Sequence, residues 1–301
     1  MSYLEFYNLK EEPFSNTPDS RFYYNSPQHS KALVRLFYAA ESMKGLAVLL
    51  GDIGTGKTTL ARRMFESLPE EEYEAALFVI IHSDITPEWL LKKIALQMGV
   101  KDVEKDKISV LSSLTERLFK IAEMNKKAVV LIDEAQMLNK KELMEELRGL
   151  LNIESESKKL ITFILFGLPE LEDVLKMDEP LAHRVALKYR LEPFTEESTR
   201  AYIEHRLKLA GAYRSLFEPD AYPLIHRYSR GNPRRINIIC DNCLFESFLL
   251  KLEKVTKKVV EMVAEDFGLK KEYEESPSMP LKKENKIDVE LEQLIDEKFK
   301  E

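Results

Sequence analysis

Cysteine is scarce in this chain, and its scarcity narrows the kinds of site that the chain can hold. The 301 residues include two cysteines, Cys240 and Cys243, which are separated by two residues in an apolar stretch with the pattern of a helix. A structural zinc site needs four ligands, and no second cysteine pair is present to complete one. The sequence therefore predicts two buried, reduced thiols rather than a redox or metal site.

Long apolar runs and an N-terminal targeting segment are also missing. No apolar stretch approaches the length of about 18 residues that suggests a membrane-spanning helix. Residues 1–14, MSYLEFYNLKEEPF, contain neither a basic region nor an apolar core like those of a signal peptide. We therefore expect a soluble, cytoplasmic protein without a direct membrane span.

An excess of basic residues is absent as well. The formal net charge is −7, from 45 basic and 52 acidic residues. This balance argues against general coating of nucleic acid, although a local basic patch is compatible with it. The length suits one large α/β domain and a second, smaller domain.

The segment 51–59, GDIGTGKTT, carries the pattern G-x-x-x-x-G-K-[ST] between a strand-like apolar run and a helix-like stretch. Glycines let the chain turn over a bound anion, so that backbone N–H groups point at phosphate oxygens. Lys57 would reach the β- and γ-phosphates of ATP, and the Thr58 hydroxyl would coordinate Mg²⁺. The residues predicted to bind the nucleotide here are Gly51, Asp52, Ile53, Gly54, Thr55, Gly56, Lys57, Thr58 and Thr59.

A second apolar run, residues 128–132, ends directly in Asp133 and Glu134. In an open parallel sheet, ligands bind at the carboxyl ends of the strands, where the 51–59 loop is also expected. Asp133 would then hold Mg²⁺, directly or through water, and Glu134 would orient and activate the attacking water. A solvated acidic turn is the alternative interpretation, and the loop upstream favours the catalytic one.

Strands alternate with helices through the first two thirds of the chain, and only helices are predicted after that. The pattern predicts an α/β core, with a parallel sheet flanked by helices, followed by a small all-helical lid. Four segments are expected, namely an N-terminal cover packed on the core (1–27), the ATPase domain (28–193), the helical lid (194–268) and a flexible charged tail (269–301). In the tail, the spacing of Ile287, Leu291, Leu294, Ile295 and Phe299 predicts a short helix that either binds a partner or docks loosely.

Local signals place individual helix boundaries. Thr86 is predicted to cap a helix whose first turn holds Pro87 and Glu88. Gly211, Gly231 and Gly268 are positioned as helix stops in the second domain.

Several blocks of the chain resemble the AAA+ ATPases of the general secretion pathway protein A group, also called ExeA-like ATPases. The resemblance covers about residues 3–252, and its opening block is the most discriminating. The blocks are YLEFYNLKEEPFSNTPDSRFYY, GDIGTGKTTL, LIDEAQ, FGLPEL, EPFTEESTRAYIEHRLKLAG and SRGNPRRIN. The resemblance implies a P-loop AAA+ ATPase that uses ATP and Mg²⁺ and whose active site is completed when subunits assemble into a homo-oligomer.

The resemblance also assigns two arginines. The family's arginine finger falls on Arg184, which a neighbouring subunit would use to stabilise charge on the transferring phosphoryl group. The lid arginine that contacts the nucleotide falls on Arg234, with the adjacent Arg235 as the alternative.

This chain departs from the family in two respects. Similar proteins carry a polar residue, often Gln, where this chain has Leu168, so we expect the first-sensor role to be missing or moved and hydrolysis to be slow. The membrane span and peptidoglycan-binding region of longer secretion members are also absent from the sequence, which argues against direct cell-wall work.

Three functions follow from these features. We expect an ATP-dependent switch or assembly factor, whose lid closes and whose subunits associate on ATP binding, with a protein partner in a secretion or pilus machine. The first alternative is a DNA-associated ATPase similar to transposition regulators, favoured by the basic pairs Arg62–Arg63 and Arg234–Arg235 but not by the net charge. The second alternative is a nucleotide-binding scaffold with little turnover, which Leu168 supports. A small-molecule kinase is disfavoured, because the helical lid offers no evident acceptor pocket.

Overall fold

The computed structural model describes residues 2–17, 19–103, 106–155 and 158–270. The predicted tail helix, from Ile287 to Phe299, lies outside these residues. The chain divides into two compact units. The first, here called the sheet unit, comprises Gln28–Ile53 and Lys57–Leu191. The second, called the helical unit, comprises the described parts of Met1–Pro27, Gly54–Gly56 and Glu192–Glu301.

A five-stranded, fully parallel sheet forms the centre of the sheet unit, with the strand order β2-β3-β6-β1-β7. The inner strands β1, β3 and β6 are almost completely buried, which explains their continuous apolar runs. Residues along the edge strand β7 alternate between exposed and half-buried, in keeping with its alternating sequence. The strands are β1 (Leu46–Gly51), β2 (Tyr73–Val79), β3 (Lys127–Asp133), β6 (Ile161–Gly167) and β7 (Val185–Leu191), with a separate antiparallel pair of β4 (Glu154–Ser155) and β5 (Lys158–Lys159).

Helices accompany the strands in the sheet unit. They are α2 (Pro27–Glu41), α3 (Lys57–Glu66), α4 (Pro87–Gln97), α5 (Lys107–Glu123), α6 (Lys141–Leu150), α7 (Leu171–Lys176) and α8 (Glu179–Ala182), with a 3₁₀ turn at Ala135–Met137. The predicted start of α4 is confirmed, because the Thr86 hydroxyl accepts a hydrogen bond from the Trp89 N–H at 3.2 Å and Pro87 opens the first turn.

The strand order brings three functional segments to one edge of the sheet. β6 pairs with β3 on one side and with β1 on the other, and all three run in the same direction. Their carboxyl ends therefore lie side by side, at Asp133, Gly167 and Gly51. This arrangement places Asp133, at the end of β3, on the same edge of the sheet as Gly51, where the glycine-rich loop begins.

The helical unit contains α1 (Tyr3–Tyr7), α9 (Glu196–Leu209), α10 (Ala221–Ser229), α11 (Pro233–Leu249) and α12 (Lys257–Asp266), with a 3₁₀ turn at Ser20–Phe22. The left-handed φ of +70° at Gly231 follows the end of α10, as expected of a helix stop. A buried apolar core joins residues from all five of these helices.

The described part of the N-terminal segment packs in the helical unit. The Tyr7 hydroxyl donates to the Leu252 carbonyl at 2.9 Å, and the Tyr3 hydroxyl donates to Asp241 at 3.1 Å. Phe14 is buried edge-on against Phe217 at a centroid distance of 6.2 Å. An aromatic-rich segment signals that it must be covered, but its sequence does not specify which surface covers it.

A buried arginine strengthens this packing. Arg206 on α9 is 6% exposed and donates to the Tyr202 hydroxyl at 2.8 Å and to the Ser15 carbonyl at 3.1 Å. Its guanidinium also lies over the Phe22 ring, 4.9 Å from the centroid. Arg206 therefore ties two points of the N-terminal segment to α9 through directional contacts.

The two cysteines are free and buried on α11, which confirms the prediction of reduced core thiols. Burial raises the pKa of both the Cys240 and the Cys243 thiol, so the unreactive protonated form predominates. Among the described residues, no cluster of three His, Cys, Asp or Glu side chains could hold a metal ion. No helix in the described part of the chain is long and apolar enough to cross a membrane.

His226 gives the helical unit a predicted pH dependence. The side chain is buried, its Nδ1 is hydrogen bonded to the Thr199 hydroxyl at 3.0 Å, and burial lowers its pKa against the opposing effect of Glu196. The unfolded chain therefore binds more protons than the folded chain below about pH 6.5. Stability should fall on acidification, by at most about 1.4 kcal/mol per pH unit from this group.

Urea denaturation at pH 7.5 and pH 5.5 checks this dependence. His226→Gln is expected to lose less stability between the two pH values than the parent does. The matched control is His183→Gln, at a side chain that is 78% exposed, and it should behave like the parent. An equal pH slope in the parent and in His226→Gln would contradict the expectation.

Candidate active site

The loop between β1 and α3 has the backbone expected of a phosphate-binding loop. Strand β1 ends at Gly51 and helix α3 begins at Lys57, so the first N–H groups of α3, which have no partner within the helix, lie next to the loop. Gly54 and Gly56 have φ values of +81° and +99°, which residues with a Cβ rarely adopt. The loop therefore needs glycine at these two positions.

Lys57 lies under this loop rather than on the surface. Its side chain is 5% exposed, and Nζ donates to the carbonyls of Gly51 at 2.8 Å and Asp52 at 3.0 Å. Burial lowers the pKa of Lys57, while the charges of Glu134, Asp133 and Asp52 oppose that shift. A desolvated ammonium beside a turn of N–H groups is well suited to bind a polyphosphate.

Thr58 and Asp133 come together across the carboxyl edge of the sheet. The Thr58 hydroxyl donates to Asp133 Oδ2 at 2.7 Å, and the Glu134 N–H donates to Oδ1 at 2.9 Å. Burial raises the pKa of Asp133, and these two hydrogen bonds partly offset the increase. A hydroxyl and a carboxylate in contact form an oxygen donor set that fits Mg²⁺.

Glu134 occupies an unusual backbone conformation. Its φ and ψ of 55° and 36° are left-handed, which is uncommon for a residue other than glycine. Such a conformation costs on the order of 1 kcal/mol and is found where the surroundings enforce it. The turn changes the direction of the chain immediately after β3. The side chains of Asp133 and Glu134 are therefore not bound to point to opposite faces of the sheet, as successive residues of a strand do.

Gln136 joins this cluster, and the sequence reasoning missed it. Its amide nitrogen donates to Glu134 Oε2 at 2.5 Å, and its amide oxygen accepts from the Leu168 N–H at 3.0 Å. The LIDEAQ block contained this glutamine, but a polar residue after a strand carries no distinctive signal of its own. At Leu168, the backbone N–H makes the polar contact that the apolar side chain cannot make.

Arg184 is not brought to this cluster. It immediately precedes β7, and Val185 pairs with Leu46 at the amino end of β1, whereas Gly51 at the carboxyl end pairs with Leu191. Six residues of strand separate these two edges by about 20 Å. The Arg184 guanidinium instead donates to Asn152 Oδ1 at 2.5 Å and to the Arg148 carbonyl at 3.5 Å.

The other predicted nucleotide contacts differ in exposure. Thr55 is buried, Thr59 is half-buried, and Asp52 and Ile53 are exposed. In the helical unit, which includes Gly54, the exposed Arg234 donates its backbone N–H to the Gly54 carbonyl at 3.4 Å, and Arg235 is half-buried.

Comparisons with known proteins agree with this geometry. The AAA domain family model matches residues 40–175, which include β1, the loop, Asp133 and Glu134. General secretion pathway protein A of Aeromonas hydrophila is 34% identical over 265 residues, which cover 87% of this chain and 48% of that protein. The chain resembles the ExeA-like AAA+ proteins over most of its length. It spans about half the length of this relative.

Solved structures confirm the AAA+ fold. ORC2 of Aeropyrum pernix, solved in ADPNP-ADP complexes, has a TM-score of 0.60 at 18% identity, covering 87% of this chain and 73% of that one. The RuvB Holliday junction branch migration motor of Thermotoga maritima has a TM-score of 0.54 at 18% identity, and the match covers 90% of this chain and 76% of that one. At these identities, the likeness shows the shared fold of this AAA+ protein and confirms the predicted fold class.

Proposed function

We propose that this AAA+ protein binds and hydrolyses ATP at the carboxyl edge of its sheet and acts as an oligomeric switch or assembly factor. The observation that carries the proposal is the convergence of Lys57, Thr58, Asp133 and Glu134 on that edge. The hydrogen bond of 2.7 Å between Thr58 and Asp133 supports it directly, because both groups are the expected magnesium ligands.

Each residue has a distinct task in this proposal. The loop N–H groups and Lys57 bind the phosphates and neutralise charge on the γ-phosphoryl group. Thr58 and Asp133 would hold Mg²⁺, which would neutralise charge on the phosphates when bound. Glu134 accepts a proton from the attacking water, and Arg234 is included as the family's assigned nucleotide contact.

The position of Arg184 supports a site shared between subunits. Because Arg184 lies about 20 Å from the carboxyl edge of its own sheet, it can serve an active site only in a neighbouring copy. It would have to leave Asn152 to do so. Assembly would then supply a positive charge to the phosphoryl group, which couples hydrolysis to association.

The relative also supports a proposal for the biological setting. The name of General secretion pathway protein A refers to a secretion pathway. We propose that this chain assists the assembly of a secretion apparatus and binds a protein partner in it. The alternative of a scaffold with little turnover predicts nucleotide binding without hydrolysis, so turnover measurements separate the two functions.

A mixing experiment tests the shared site. Glu134→Gln and Arg184→Ala should each hydrolyse ATP very slowly when alone, because every site lacks either the general base or the arginine. In an equimolar mixture, a site between an Arg184→Ala subunit and a Glu134→Gln neighbour is intact. Turnover should rise to about a quarter of the parent value if subunits mix randomly.

The experiment measures ATP turnover together with molar mass by light scattering, with and without duplex DNA. Mixing Glu134→Gln with Lys57→Ala is the matched control, because both defects then lie in the same half-site and no intact site can form. Lack of recovery at concentrations where mixed oligomers exist would exclude the shared site. A rate that requires duplex DNA would favour the DNA-associated alternative instead.

A further inference from the structure

Gln136 uses both ends of its amide group in the candidate site. Its nitrogen donates to Glu134 Oε2 at 2.5 Å, and its oxygen accepts from the Leu168 N–H at 3.0 Å. The orientation of the amide is determined by these partners, because a backbone N–H requires an acceptor and a carboxylate requires a donor. The side chain therefore links Glu134 to the end of β6 in one defined orientation.

The absence of a side chain at Gly167 leaves space for the Gln136 amide at the end of β6. A Cβ added at Gly167, the last residue of β6, would come within 3.0 Å of Gln136 Oε1 and 2.7 Å of Leu171 Cδ2. Gly167 does not have a left-handed φ, so its backbone conformation does not require glycine. The space occupied by Gln136 and Leu171 does require it.

Glu134 needs an external partner to fix its carboxylate. It lies in a left-handed turn, between the end of β3 and the 3₁₀ turn Ala135–Met137 that contains Gln136. Neither a strand register nor a helical repeat sets the direction of its side chain. The Gln136 amide supplies a directional contact, and its other end is held by the backbone N–H of Leu168, directly after β6.

We propose that Gln136 is a positioning residue, which orients the Glu134 carboxylate toward the attacking water and couples it to the end of β6. It thereby provides the polar link that the side chain of Leu168 cannot provide. This inference rests on the proposed hydrolysis of ATP by Glu134. Gln136 itself touches neither the phosphates nor the water in this role.

Two substitutions separate positioning from a structural contribution. Gln136→Leu removes both hydrogen bonds and keeps a similar volume. Gln136→Glu can still accept from the Leu168 N–H but cannot donate to Glu134, and it places two carboxylates side by side. Both variants should lower kcat by about 10- to 100-fold, as expected for a misplaced catalytic group.

Binding measurements distinguish this effect from loss of the site. The Kd for a non-hydrolysable ATP analogue and the melting temperature should stay close to the parent values in Gln136→Glu. Gln97→Leu, at an exposed position of α4, is the matched control and should keep the parent kcat. A parent-like kcat in Gln136→Glu would overturn the proposal, because the contact with Leu168 alone would then be sufficient.

A double variant tests whether Gln136 acts through Glu134. In the Glu134→Gln background, Gln136→Leu should lower kcat no further, whereas an additional loss of tenfold or so would show an independent role and overturn the proposal. If turnover depends on Glu134 but not on Gln136, this inference fails and the ATPase function stands. If Glu134→Gln hydrolyses ATP at the parent rate, both fail.

Discussion

Replacement of Glu134 by glutamine is expected to lower ATP turnover by about 10²–10⁴-fold, the usual contribution of a general base. Glutamine has the size of glutamate but cannot accept the proton of the attacking water. Lys57, Thr58 and Asp133 keep their contacts in this variant, because the Glu134 contact to Asp133 comes from the backbone N–H. ATP should therefore bind and stay bound.

Rapid-quench kinetics and nucleotide binding measure the two effects separately. Lys57→Ala is the complementary variant, since it removes the buried ammonium and should lose nucleotide binding as well as turnover. The matched control is Glu172→Gln, at a half-buried carboxylate paired with Lys188 at 3.3 Å. It should retain both activities, and equal turnover in Glu134→Gln and Glu172→Gln would contradict the assignment of the base.

Replacement of Gly231 by alanine is expected to lower the free energy of unfolding by about 3–5 kcal/mol, near the upper end for a single substitution. A Cβ at this position would lie 2.1 Å from the carbonyl oxygen of Phe194 and 2.9 Å from its nitrogen. The Gly231 φ of +70° adds backbone strain. The hydrogen bond from the Phe194 N–H to the Gly231 carbonyl, at 2.8 Å, would have to break or shift.

Gly149→Ala is the matched control for this substitution. Gly149 lies inside α6, and nothing lies within 4 Å of the Cβ that alanine would add. Alanine there should stabilise the protein by up to about 1 kcal/mol through its higher helix propensity. Urea unfolding, followed by circular dichroism and by the fluorescence of Trp89 in the sheet unit, measures both variants. Equal stability of Gly231→Ala and the parent would contradict the steric argument.

Local sequence signals predicted the parts of the fold that depend on neighbouring residues. The Thr86 cap depends on a side chain and a backbone N–H three residues away, so the chain itself contains the information. The buried strands β1 and β3 were recognisable because inner strands of a parallel sheet have continuous apolar runs.

Contacts between distant parts of the chain were not predictable in the same way. The sequence did not predict the contacts of the N-terminal segment with α9 and α11, such as that of Ser15 with Arg206. Gln136 was missed because its importance depends on Leu168, which β6 places beside it. In both cases the partner is set by tertiary packing, which residue spacing does not report.

The packing of the N-terminal segment against distant helices has a consequence for biosynthesis. Tyr3 and Tyr7 hydrogen-bond to residues 238 and 245 positions later, so the helical unit is built from both ends of the described chain. At translation rates of about 5–20 residues per second, the partners of the first helix leave the ribosome roughly 10–50 s after it. The sheet unit, whose residues lie between, can fold during that interval. The side chains of Tyr3 and Tyr7 meanwhile lack their final partners, so this part of the helical unit completes its packing only after the sheet unit has been synthesised.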